Sequence, residues 1–160
     1  MPMQNMKSSD NKQIAQRFME ECWNKGNLKA ISEFVTANCR YHDPVFPHLT
    51  SGADNLRSHI ENCRRGFPDM RTTIDDTIAE GNEVVHHWTI TGTHRGQFLG
   101  LAPTNKKATI SGTSIFRIQN SKIAEQWSDW NLMSLMEQLG IASAHTVEAN
   151  APKAESKAHT

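Results

Sequence analysis

Apolar residues in the first part of the chain recur at steps of three and four. Ile14, Ala15, Phe18, Met19, Cys22 and Trp23 form one stripe, which predicts an amphipathic helix from Asp10 to Trp23, ended by "NKGN". Leu28, Ile31, Phe34 and Val35 predict a short second helix, and "NCRYHDP" a brief extended segment stopped by Pro44. In "SGADNLRSHIENCRRGFPD", Leu56, Ile60 and Cys63 share one helical face, with Gly66 just past its end and Pro68 enforcing the stop.

The period then changes. "MRTTIDDTIAEG", "EVVHHWTITGTHRG", "KKATISGTSIFRIQN" and "KIAEQWSDW" approach alternation and are separated by turn chemistry in "EGN", "GLAPTN" and "QNS", which predicts four strands of an antiparallel sheet. "NLMSLMEQLG" closes the domain as a short helix ending at Gly140. Helices followed by a meander predict an α+β architecture, in which a curved sheet packs its concave face on the helices and encloses an apolar pocket. Residues 10–140 form the single expected domain, with a flexible N-terminus over 1–9 and a disordered Ala-, Ser- and Lys-rich tail over 141–160.

A chain of 160 residues with 37% hydrophobic content suits one core. Lys plus Arg and Asp plus Glu are 17 each, so no basic footprint points to nucleic acid. No apolar run approaches the roughly 20 residues needed to cross a bilayer, and the N-terminus lacks an apolar signal segment. Cys22, Cys39 and Cys63 have neither disulfide nor CxxC spacing, which fits a reducing, cytoplasmic location. Neither a G-x-G-x-x-G turn nor a Walker-type loop is present, and His42, Asp43 and His48 lack a nearby fourth ligand, so neither cofactor nor metal is expected.

The ordered series "HDP", "FPDM", "W-T-x-x-G-T-H-x-G-x-F-x-G-x-x-P-T", "S-I-F-R-I", "KIAEQW" and "LMEQLG" resembles the SnoaL-like polyketide cyclases, from about Ile14 to Gly140. These belong to the nuclear transport factor 2-like (cystatin-like) superfamily, which also holds steroid isomerases and scytalone dehydratase. The resemblance implies an α+β cone, often dimeric, and in the cyclases a cofactor-free intramolecular aldol condensation of a polyketide ester. It also implies that Asp43 occupies a place like that of the proton-abstracting aspartate of the steroid isomerases. The cyclases carry a His or Asp in the "S-I-F-R-I" strand and a carboxylate after the Trp of the last strand; here those places hold Ser114 and Ser128.

A carboxylate beside an apolar cavity loses hydration and becomes a stronger base, whereas Asp before Pro also caps turns, so both roles stand open for Asp43. Asp129, one residue beyond Ser128, is a second candidate if a bulge turns it inward. A histidine of "VVHHWTIT" could supply the missing acid; His87 is taken as the candidate, although alternation leaves open which of His86 and His87 faces inward. Strand alternation adds Gln126, Ser128 and Trp130, with Ser114 and Phe116, to the pocket lining, and Tyr41, His42 and Trp88 complete it. The expected partner is a hydrophobic small molecule, and Ile115, Ile123 and a strand tryptophan on the outer face suggest a homodimer. The alternative to an enzyme is a binding or interaction module that uses the same cone without chemistry.

Overall fold

Four helices and five strands follow in chain order. The computed structural model describes residues 2–142, with side chains described from Lys7 onward. Helix α1 spans Pro2–Phe18 and continues without a break as a π-helical stretch over Met19–Asn24. It thus begins ahead of Asp10, where the sequence pattern starts the helix. The expected tail lies outside the described residues from 143 onward. Arg64 donates to the Trp23 and Asn24 carbonyls that the helix end leaves free, and the Asn24 side chain pairs both ways with the backbone of Thr72, at 2.9 and 2.7 Å.

The expected second helix shrinks to a 3-10 turn at Leu28–Ala30 and a single α turn, α2, at Ile31–Phe34. Val35 is already extended and opens strand β1, Val35–His42, where β-branched Val35 and Thr36 suit a strand better than a helix. Helix α3 spans Ala53–Gly66, followed by β2 Arg71–Glu80, β3 Glu83–Thr93, β4 Lys107–Gln119, β5 Lys122–Trp130 and α4 Leu132–Gln138. Asn120 and Ser121 join β4 to β5 with φ of 49° and 61°, the left-handed pair whose twist suits a two-residue hairpin.

The sheet order is β1-β5-β4-β3-β2. Strands β2 to β5 form the antiparallel meander, but β1 pairs parallel with β5, so the sheet is mixed rather than wholly antiparallel. Helix α3 carries the chain from one edge of the sheet to the other, which leaves the last strand as the partner of the first.

On the concave face Val84, His86 and Trp88 of β3 meet the helices, together with Ser114 and Phe116 of β4. The core gathers Phe18, Ile31, Phe34, Val35, Leu56, Ile60, Phe116 and Ile123, with the Phe18 ring 6.1 Å from Phe116 and 6.3 Å from Phe34. Ile123, expected on the outer face, is fully buried, because the register shift between Arg117 and Ile118 turns it inward. The outer face carries a different row: cross-strand pairs align Ile78, Val85, Ile115, Trp127 and His42 across all five strands. Ile78 in that row is 60% exposed.

Candidate active site

Between α3, the π-helical stretch and the concave face of the sheet lies a cavity of about 130 Å³. It approaches the roughly 150 Å³ that accepts a benzene ring in an engineered apolar core. Its lining is mostly apolar and aromatic, with Trp23, Phe46, Phe67, Trp88, Phe98 and Trp130 among the rings. Phe98 reaches it because the Arg95 and Gly96 amides both donate to the Gly66 carbonyl at 3.0 Å, tying the loop after β3 to the end of α3. A side chain at Gly96 would run into the Arg65 carbonyl, so glycine permits this approach.

Asp43, at the end of β1, borders the cavity with a half-buried carboxylate. Oδ1 accepts the Val45 amide at 2.9 Å across Pro44, and Oδ2 accepts the Trp130 indole N–H at 3.1 Å. The residue therefore caps its own turn and faces the cavity together. Burial raises its pKa above the ordinary carboxylate value; the bonds from Val45 and Trp130 oppose this, and the charge of Asp129 adds to it.

The expected site residues separate by face. Tyr41, Trp88, Ser114, Gln126, Ser128 and Trp130 all line the cavity. Trp88 Nε1 donates to Ser114 Oγ at 2.9 Å, the Ser114 and Ser128 hydroxyls are 2.8 Å apart, and Gln126 Nε2 donates to Ser128 at 3.0 Å. The sheet wall thus carries a polar chain without a titratable group, ending at a buried Gln126 Oε1 that has no partner among the described residues. His42 borders the cavity but turns its ring outward, stacked at 5.1 Å on Trp127 and 3.4 Å from Glu125.

Three expectations are corrected. His87 is exposed on the outer face, and its inward neighbour His86 is fully buried against Phe116 at 5.1 Å, below the cavity and outside its lining. Alternation that places Trp88 inside excludes His87 from the same side. Phe116 is fully buried in the core against Phe18, not in the lining. Asp129 is exposed and borders a separate outer depression, which it shares with Asp43, Pro44 and Trp127, because no bulge reverses the alternation after Ser128. Arg57 of α3 donates to Asp54 and to the Leu28 carbonyl.

The titratable group that sequence reasoning missed is His59 of α3, which lines the cavity. It sits edge-on to Phe46 at 4.4 Å and to Trp23 at 5.9 Å, and burial drives its pKa down to about 4. The signal was in the stripe itself: position 59 lies three residues after Leu56 and four before Cys63, on the face already assigned to the core.

Gly112 sets the back of this site. It pairs across the sheet with Trp88 and with Trp130, and an added Cβ would run into the Trp88 indole and the Asp129 carbonyl. Gly112→Ala is expected to displace Trp88, break its bond to Ser114 and cost about 1–3 kcal/mol. Urea denaturation would show this as a lowered midpoint; an unchanged midpoint would mean the indole has room to move.

The family model for SnoaL-like polyketide cyclases matches residues 13–139. Among solved structures, TsrD from Streptomyces laurentii is similar at 23% identity and a TM-score of 0.75, covering 84% of this chain and 97% of that one. A protein provisionally assigned as a polyketide cyclase from Acidithiobacillus ferrooxidans reaches 26% identity and a TM-score of 0.76 over 85% and 98% of the two chains. A SnoaL-like polyketide cyclase from Agrobacterium tumefaciens shares the fold at 16% identity, with a TM-score of 0.68 over 81% and 98%. No curated protein sequence matches the chain significantly. Across most of its length, then, the chain belongs to the SnoaL-like polyketide cyclase family and has its nuclear transport factor 2-like α+β fold.

Proposed function

We propose that the protein catalyses cofactor-free acid–base chemistry on a hydrophobic small molecule, an intramolecular aldol cyclisation or an isomerisation alpha to a carbonyl, with Asp43 as general base. The observation that supports this best is the desolvated carboxylate on the wall of an apolar cavity, oriented by Trp130. The step balances within one molecule. Asp43 takes the proton alpha to one carbonyl, the enolate electron pair attacks a second carbonyl of the same substrate, and the resulting alkoxide recovers the proton from the Asp43 carboxylic acid. The test is ring closure of an aromatic polyketide ester analogue, followed by absorbance and chromatography. Turnover that disappears in Asp43→Asn while the analogue still binds supports the reading; loss of binding in the variant sinks it.

A second reading, a binding module without chemistry, is favoured by the sheet wall, where Ser114 and Ser128 satisfy each other and leave no acid or base. It predicts that a hydrophobic metabolite co-purifies with the protein and is released unchanged. We also propose a homodimer through the outer row Ile78, Val85, Ile115 and Trp127, and a cytoplasmic location that suits three buried, unpaired cysteines. Sedimentation is expected to give twice the chain mass, and Ile115→Glu to return a monomer; a monomeric parent protein would remove the proposal.

A further inference from the structure

We infer that the imidazole of His59 donates the hydrogen bond to the oxyanion that forms when Asp43 takes its proton, an inference that rests on the base role proposed for Asp43. An enolate generated in an apolar cavity needs a donor aimed at it, because apolar side chains solvate the charge poorly. The N–H donors of the sheet wall are engaged, those of Trp88 and Gln126 with the two serine hydroxyls and that of Trp130 with Asp43, while only one of the two serine O–H groups is used between them. The Tyr41 hydroxyl, buried without a hydrogen-bond partner among the described residues, is a further donor on that wall. His59 comes from the opposite wall, on α3, and is tied to the base through aromatic contacts. Phe46 lies 4.4 Å from His59 and 6.2 Å from Trp130, whose indole holds Asp43.

The neighbours of His59 also set its protonation. Nε2 lies 3.8 Å from the Cys63 thiol one helical turn on. Burial, with the Asp43 charge adding, pushes that thiol up to about 12, so it stays protonated and can donate its S–H to Nε2. In that tautomer the ring proton resides on Nδ1, which makes no hydrogen bond to the protein among the described residues. The other titratable groups bordering the cavity are Asp43, Cys63, Tyr41 and His42. Near neutrality the ring is uncharged and donates as a neutral imidazole; it gives up no proton, so Asp43 alone returns the proton to the product.

Binding of phenol and of its isostere toluene, measured by NMR titration of the full chain, tests this without any turnover. Phenol presents an oxygen that needs a partner, and toluene a methyl group of similar size. In His59→Leu, phenol affinity is expected to fall about tenfold while toluene affinity holds, and His59→Gln, which keeps an N–H donor, is expected to recover part of the loss. Equal loss for both ligands, or no loss for phenol, overturns the inference. Should His59→Leu fail to fold, the ring nitrogen shifts of His59 in the parent protein serve instead: phenol must move the Nδ1 signal and toluene must not. Failure here leaves the base role of Asp43 intact, since that role is read from turnover in Asp43→Asn.

Discussion

Replacing Asp43 by asparagine is expected to lower kcat/KM by about 10²–10⁴-fold on any substrate whose reaction begins with proton abstraction. The amide is nearly isosteric, and its oxygen can still accept from Val45 N–H or Trp130 Nε1, so the loop and the cavity wall keep their shape. What disappears is the basic lone pair. The pH profile carries the same signature: only the carboxylate acts as base, so kcat/KM should rise with pH through the raised pKa of Asp43 and then level off. Asp129→Asn removes a like charge that faces the outer side, and should shift this acid limb to lower pH with little change in the plateau. A limb that stays in place would mean that the Asp129 charge is screened by solvent.

Acid should unfold the protein through its buried histidines. The pKa of both His59 and His86 falls to about 4 from 6.5, because burial disfavours the charged ring. Between those values the unfolded chain binds more protons than the folded one, so stability is fully present above about pH 6.5 and is lost as pH falls toward 4. For His86, which is fully buried with no hydrogen-bond partner on either ring nitrogen among the described residues, the loss is of order 2–3 kcal/mol. His59, which borders the cavity, adds a smaller amount. Asp43 works in the opposite sense, since its raised pKa favours the folded state on acidification, and it offsets part of the loss. Urea denaturation from pH 7.5 to 4.5 should therefore show a steep fall, and His86→Leu should flatten it without lowering stability at pH 7.5. A variant with an unchanged slope would place the acid sensitivity elsewhere.

Most of the framework was legible because local periodicity carries it. The α3 stripe at Leu56, Ile60 and Cys63, and the four alternating runs from Met70 to Trp130, depend only on which face meets the core. The strand end before Asp43 was legible because Pro44 stops the extended segment, but its place as a candidate base came from the resemblance, and the local pattern left base and turn cap open. The misses share a cause as well. Parallel pairing of β1 with β5 leaves no trace in either segment. With apolar residues on both sides of β3, the pattern does not distinguish His86 from His87, and only the packing of Trp88 over Gly112 decides it. Phe116 follows the correct alternation but lies too deep, because the distance of a residue from the cavity is set by the helix packed above it. His59 was hidden by its own placement on a face that reads as core.

The parallel pairing of β1 with β5 also governs when the site can exist. Asp43 and the Trp130 that holds it are 87 residues apart in sequence, and β1, bridged locally only to Ser51, has no partner strand in the sheet until β5 is made. Closing so long a loop costs entropy that the completed meander repays, so β1 is expected to dock after β2 to β5 have assembled. On that order the cavity would be assembled last during synthesis, and a refolding chain should regain its sheet before it regains its base.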